Sequence, residues 1–336
     1  MKKANYLYGQ RMIMTKTPLR ITFVGGGTDL PGYYKNYGGG AVVSAAINKY
    51  IHIVVNKKFD NRIRVSYSRT EIVDSVDKIQ HPTVREALKL LKIDGGIEIV
   101  SISDIPSGGT GLGSSSTFLV GLLNALHAWK GEFVSPKELA EEAVRIERGI
   151  LKEPGGKQDQ YIAAYGGIKL MEFNEDESVV LKPVIAKESD YMLLKNHLML
   201  LYTGLQRSSA QIHSKQADAI QKHVSEYNKM RDLSYALFDS ICNGRWARTG
   251  KFLDQNWKLK RTLSEGISDS KIDAMYNKAL ATGALGGKLI GAGGGGFLLM
   301  FAPPAKHAAI KRALPQLKEE PFGFEVLGSR IVYVGE

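Results

Sequence analysis

Cysteine is nearly absent: Cys242 is the only one in 336 residues. No intramolecular disulfide can form, which excludes a disulfide-stapled secreted scaffold and leads us to expect a cytoplasmic location. No stretch reaches the ~18 consecutive apolar residues of a membrane span, so no membrane partner is expected. The first 14 residues carry basic side chains but no apolar stretch like that of a signal peptide, and are expected to be a disordered leader. There is no fixed-period repeat and no low-complexity tract. The net charge is +11, yet it forms no basic run or arginine-rich tail. A nucleic-acid partner is therefore not expected, and the charge suits a small polyanionic ligand instead.

What is present points to two domains. The length alone gives that prior, and a cut near 190/191 follows from the polar stretch NEDESVVLKPVIAKESDY. PLRITFV (residues 18–24) alternates as a strand, and GGGTDLPGYY breaks it. AVVSAAINKYIHIVVNKK reads as one strand or a strand pair. In NKKFDNRIRVSYSR, Arg62, Arg64 and Ser66 alternate with Ile63, Val65 and Tyr67, the solvent face of another strand. A helix is predicted over HPTVREALKLLKI, a strand over GIEIVSISDI, and a helix apolar on every side from about Ser114 to Trp129. Ser135, Pro136 and Glu138 spell a helix start with a capping box. A long helical region is predicted from about Ser209 to Ile241, with further helices near 247–264 and 270–282. The last part reads strand, glycine turn, strand, helix, strand. Strands come without regular βαβ alternation, so the expected class is α+β and not a doubly wound parallel sheet.

Glycine gathers at 25–27, 108–113 and 291–296. GAGGGG in the third cluster formally fits a dinucleotide fingerprint, but a strand follows it where the fingerprint needs a helix. A hairpin whose backbone lines a cleft is the better reading. The second cluster, IPSGGTGLGSSSTF, runs straight into the buried helix. Its glycines can turn successive N–H groups toward one anion at the helix mouth. No lysine follows Gly113, so it is not a Walker loop.

Phosphoryl transfer also needs a cation, a metal and a group for the acceptor hydroxyl. Glu147 shares an apolar helix face with Ala140, Ala143 and Val144, so it is either a metal ligand or half of a salt bridge. Ser115 or Ser116 could add a hydroxyl to the same Mg²⁺. Asp159 opens a helix after two glycines, as a base or as a simple cap. Arg20 projects from the first strand, to neutralise transferred charge or to face solvent.

Three stretches in this order, PLRITFVGGGTDLPGYY, PSGGTGLGSSSTF and KLIGAGGGGFLLMF, resemble the GHMP kinases. The resemblance implies a two-domain fold, with a ribosomal-protein-S5-like N-terminal domain (15–190) and a ferredoxin-like C-terminal domain (191–336). It implies ATP and Mg²⁺ between them. It carries the phosphate loop onto Pro106, Gly108, Gly109, Thr110, Gly111, Leu112, Gly113, Ser114 and Ser115. The metal ligands fall on Ser115 and Glu147, and the catalytic pair on Asp159 and Arg20. Acceptor contacts fall on Gly26, Gly27, Asp29 and Gly156. GGGTD replaces the Gly-Glu-His run of galactokinases, and their N-terminal signature is missing, which speaks against galactose.

TPLRITFVGGGTDLPGYY, EPGGKQDQYIAAYGG and LYTGLQRSSAQI resemble the family's heptose 7-phosphate kinases. That implies a phosphorylated sugar substrate, phosphorylated at its anomeric C1 hydroxyl to a 1,7-bisphosphate. Arg207, beside Ser208 and Ser209, is then a candidate clamp for the 7-phosphate, or an ordinary surface ion pair. The rivals are another sugar 1-kinase acting on a fucose-, mannose- or galactose-like acceptor, a GHMP kinase for a non-sugar alcohol, and a binding protein that keeps the fold without turnover. A homodimer is compatible with all of them.

Overall fold

The computed structural model describes residues 11–105, 108–205 and 209–335. The chain opens with β1 (Ile13–Val24), whose outer end alternates in burial and whose inner end is buried throughout. A turn and the short helix α1 (Pro31–Tyr34) lead to β2 (Gly40–Lys57), one continuous 18-residue strand and not a pair. There follow β3 (Ile63–Ser66), β4 (Thr70–Val73), α2 (Pro82–Leu90) and β5 (Ile97–Ser103). Arg62 falls outside β3 and pairs with Asp60.

The glycine loop then feeds α3 (Ser114–Trp129), buried along most of its length. α4 (Pro136–Val144) starts on the expected capping box and runs into a π-helical turn (Arg145–Ile150). α5 (Gln158–Tyr165), β6 (Ile168–Phe173) and β7 (Val179–Pro183) complete the first half.

The second half holds α6 (Glu188–Asn196), β8 (Leu198–Tyr202), α7 (Ser209–Ala219), α8 (Val224–Cys242), α9 (Thr249–Lys260) and α10 (Ser270–Ala281). It ends with β9 (Gly286–Leu289), β10 (Phe297–Phe301), α11 (Pro304–Ala313), β11 (Lys318–Glu319) and β12 (Arg330–Val334). The long helical region expected from 209 to 241 is two helices, separated by a 3₁₀ turn over Ile220–Lys222.

One sheet runs β12–β1–β2–β5–β3–β4, and the other runs β11–β8–β10–β9. In the first, β2 pairs with β1 on one side and, on the other, with β6 near its start and β5 near its end. Among the described residues only β3 and β5 pair in parallel. β7 is an outer strand on β6, so part of the polar stretch expected at the junction belongs to the first sheet. Two expectations need correction. Ile13 and Met14, placed in the leader, lie in β1 and pair with β2 and β12. β12 returns to the first sheet, so a cut at 190/191 puts it on the wrong side.

Helix α3 lies against β1 and β2. Gly121 lets it come close: a Cβ there would stand 2.7 Å from Thr17 Oγ1. That contact, with the bond from Thr15 Oγ1 to Gly121 O (2.9 Å), fixes the middle of the helix over β1. A second core, including Tyr227, Met230, Trp257, Leu298 and Met300, holds the C-terminal helices to their sheet. Among the described residues no helix is long and apolar enough to cross a membrane.

Candidate active site

Between the two sheets lies a cleft of about 700 Å³. One side is the glycine loop, the mouth of α3 and Glu147. The other is the β9–β10 hairpin, and the two sides touch backbone to backbone. A Cβ on Gly111, at φ +76°, would come within 2.4 Å of Ile290 O. Glycine is required there by the hairpin's approach as well as by its left-handed backbone. The hairpin reading of 291–296 holds, with Ile290 N–H bonded to Phe297 O at 2.9 Å.

The loop serves the cleft mainly through its backbone. Leu112 and Thr110 are buried, and Leu112 O accepts from Arg20 N–H at 3.1 Å. The helix cap is Gly113, with no side-chain cap bond, so the first amides of α3 keep the anion-binding character of a helix mouth. Ser114 Oγ stands 3.5 Å from Thr110 Oγ1. Gly108 and Gly109 line the cleft. Pro106 lies outside the described residues, as do Arg207 and Ser208; of Ser209 only the backbone is described.

Glu147 sits on the π-helical turn and not on α4. That turn, a type of irregularity frequent at functional sites, points its carboxylate inward. Glu147 is 1% exposed and accepts from Ser115 Oγ (2.9 Å), Ser116 Oγ (2.8 Å) and Gln160 Nε2. The nearest cation, Arg148, is 3.8 Å away, so the salt bridge is the weaker contact. Gln160 Oε1 is buried there without a hydrogen-bond partner. One carboxylate and two hydroxyls on the cleft wall make an all-oxygen set suited to Mg²⁺, which keeps several waters and phosphate oxygens of its own. Among the described residues no cluster of three His, Cys, Asp or Glu offers a denser site.

Arg20 and Asp159 form a two-pronged ion pair, Nε–Oδ1 2.7 Å and Nη2–Oδ2 2.6 Å, and Arg20 Nη1 also donates to Gly111 O. Neither residue faces open solvent. Burial pushes the Asp159 carboxyl up, but the Arg20 charge and hydrogen bonds, helped by Arg148 and His213, outweigh it and hold it below the ordinary range. Asp159 is thus a firmly ionised, weakly basic carboxylate.

Past this pair the cleft narrows into a chamber of about 40 Å³, and Arg20, Arg148, Asp159, His213, Gly291 and Ala292 line both spaces. Asp29 faces the chamber, 3% exposed, and accepts from Gly27 N–H (2.9 Å) and Gln158 N–H (3.2 Å). Burial raises its carboxyl above the usual range, and nearby Asp159 adds to the rise against these backbone bonds. Gly156 makes room for it: a Cβ would overlap Asp29 Oδ2 at 1.8 Å. Gly26 and Gly27 both line the chamber, and the Gly27 amide is spent on Asp29. Gln158 is fixed by Thr22 Oγ1 (2.8 Å) and Ser44 Oγ (2.9 Å), both donating to its Oε1.

The sequence reading missed the C-terminal contribution. Lys260, His213 and Gln216 all line the chamber. A signal was present for Lys260: on α9 it continues the buried stripe Phe252, Leu253, Asn256, Trp257, a lysine where the helical spacing calls for an apolar residue. It also missed the cleft's far end, where His81 stacks on Phe118 (5.1 Å) and meets Tyr67 edge-on (4.8 Å).

This architecture is that of the GHMP kinases, and the chain belongs to that family. The family's N-terminal domain matches residues 81–167 and its C-terminal domain residues 237–319. The chain is an ATP-dependent phosphotransferase, and its relatives place it among the sugar kinases. It is 31% identical over 327 residues to the D-glycero-alpha-D-manno-heptose 7-phosphate kinase of Campylobacter jejuni, covering 90% of this chain and 93% of that one. It is 25% identical over 360 residues to the L-fucokinase/L-fucose-1-P guanylyltransferase of Bacteroides fragilis, covering 94% of this chain and 37% of that longer one. A D-glycero-D-manno-heptose 1-phosphate kinase from Bacteroides thetaiotaomicron has the same fold, with TM-score 0.80 and 24% identity over 96% of this chain and 100% of that one.

Proposed function

We propose that this kinase transfers the γ-phosphoryl group of ATP to the anomeric C1 hydroxyl of a heptose 7-phosphate, giving the 1,7-bisphosphate. One observation carries the reading: the Arg20–Asp159 pair stands on the wall shared by the cleft and the chamber, where a phosphoryl group would pass from one to the other. The glycine loop and α3 mouth hold the nucleotide phosphates. Tyr67, His81 and Phe118 offer flat surfaces for the base. Ser115 and Glu147 would hold Mg²⁺, which neutralises phosphate charge.

Asp159 orients the acceptor hydroxyl and takes its proton late, because a carboxylate held below its ordinary range is a poor early base. A loose transition state needs little base strength, and positioning dominates. Arg20 offsets the charge growing on the transferred oxygens. Asp29 accepts from sugar hydroxyls. A whole sugar needs more room than the chamber of about 40 Å³ gives. The choice of a heptose 7-phosphate is supported by the 31% identical relative and by the basic balance of the chain.

The test is ADP release with D-glycero-D-manno-heptose 7-phosphate, L-fucose, D-mannose, D-galactose and mevalonate. The phosphorylated heptose should give the highest kcat/KM, and phosphorus NMR should find the new phosphate on C1. Preference for mevalonate would overturn the sugar reading. Preference for L-fucose would replace the heptose.

A further inference from the structure

The chamber's two sides differ in chemistry. The N-terminal side presents a hydrogen-bond acceptor, the buried carboxylate of Asp29. The C-terminal side presents the Lys260 ammonium and the Gln216 amide as donors, beside His213, whose neutral ring takes either role according to its tautomer. His213 Nδ1 and Gln216 Nε2 are buried at its edge and have no hydrogen-bond partner. Lys260 reaches in from the end of α9, 4% exposed, and its ammonium donates to Gly291 O. One turn earlier, Asn256 Oδ1 accepts from Gly25 N–H at 2.9 Å, which ties α9 to the turn that carries Asp29. Lys260 lines the chamber but not the nucleotide cleft, whereas Arg20 lines both. It is therefore placed for the acceptor and not for the nucleotide phosphates.

Burying an ammonium against a single carbonyl is costly, and burying an amide N–H with no partner adds to that cost. Such groups persist where a ligand completes them. A molecule that completes this set must accept from the C-terminal side and donate to Asp29 at once, as a polyhydroxy compound does. We propose that Lys260 is an acceptor-positioning residue: with the Gln216 amide it donates to oxygens of a sugar whose hydroxyls donate to Asp29. This rests on the chamber being the acceptor site.

The charged and titratable groups facing Lys260 are Asp29 beyond β1, Arg20 on β1, Asp159 on α5, His213 on α7 and Lys288 on β9. Burial lowers Lys260 to about 8; Asp29 and Asp159 oppose the fall and Arg20 adds to it. Burial, with Lys260 nearby, holds His213 at about 4, and burial holds Lys288 well below the usual lysine range. Lys260 is charged below about pH 8 and neutral above it, so its donor strength should fade as pH rises through that value.

The experiment compares wild type with Lys260→Met and Lys260→Arg. It measures kcat, KM for the acceptor and KM for ATP across neutral to alkaline pH, and Tm without ligand. The acceptor is D-glycero-D-manno-heptose 7-phosphate or whichever sugar wild type prefers. Lys260→Met should raise the acceptor KM roughly 10–100-fold, the range for a charge-assisted bond. KM for ATP should stay within about twofold, and Tm should hold or rise because a buried charge is gone. Wild-type kcat/KM for the acceptor should fall above about pH 8. The fall should move to higher pH in Lys260→Arg and vanish in Lys260→Met.

An unchanged acceptor KM would overturn the proposal. So would a lower Tm with weakened ATP binding, since Lys260 would then be a strut between α9 and the hairpin. If wild type phosphorylates no sugar, the sugar-kinase reading fails separately, and Tm and ATP binding of Lys260→Met still decide between strut and ligand group.

Discussion

Arg20, Asp29, Asp159 and Gln158 on the N-terminal side of the site are each held by named neighbours, whereas His213 Nδ1 and Gln216 Nε2 across from them are buried without any. The first set is preorganised, as charge stabilisation during transfer requires. The second is completed only by what enters. The transfer chemistry thus rests on the N-terminal side, while acceptor recognition is shared between Asp29 there and the donors across the chamber.

Substitutions on the two sides should therefore fail in different ways. Asp159→Asn should have the largest effect, a kcat loss on the order of 10²–10⁴-fold with little change in KM for ATP. Steady-state kinetics check this, and a loss below about threefold would remove Asp159 from the chemistry. Asp159 also carries a pH signature. Its carboxyl is held below the ordinary range, so its stabilising contribution is complete above the unfolded value and is lost as pH falls through the folded one. Acid unfolding of Asp159→Asn should accordingly be less steep than that of wild type.

Glu147→Gln should weaken the apparent Mg²⁺ affinity by roughly 10–100-fold and leave the fold intact, as read from activity against Mg²⁺ concentration and from circular dichroism. Gly111→Val should raise KM for ATP about tenfold or more and lower Tm, because its side chain meets Ile290 O and because its backbone is left-handed. Unchanged ATP affinity there would detach the loop from the nucleotide. The smallest effect belongs to Ser135→Ala, far from the comparison. Losing the capping box should cost about 1 kcal/mol in denaturant unfolding and leave kinetics untouched.

Local signals made much of this legible in the sequence. The run from Ser114 to Trp129 was apolar on every side, and the Ser135–Glu138 box marks its helix start in the structure as in the sequence. Arg20 and Asp159 stand out in the sequence, and the family resemblance pairs them; the structure joins them in a two-pronged ion pair. What stayed hidden was set by long-range packing. Nothing local says that β12 returns to β1, because strand pairing across more than 300 residues leaves no periodic trace. The π-helical turn at Glu147 shifts the helical phase by one residue, so counting along α4 finds a buried carboxylate but not the turn that orients it. His213 and Gln216 look like ordinary polar positions of α7, whereas Lys260 stands out on the buried stripe of α9.

Kinetics of Asp159→Asn and Lys260→Met, side by side on one acceptor, test the division of labour most directly. The account predicts a crossed result: Asp159→Asn loses kcat and keeps the acceptor KM, while Lys260→Met keeps most of its kcat and raises the acceptor KM. If both variants lose kcat alone, or both raise the acceptor KM alone, the two sides of the site do not divide the work as described.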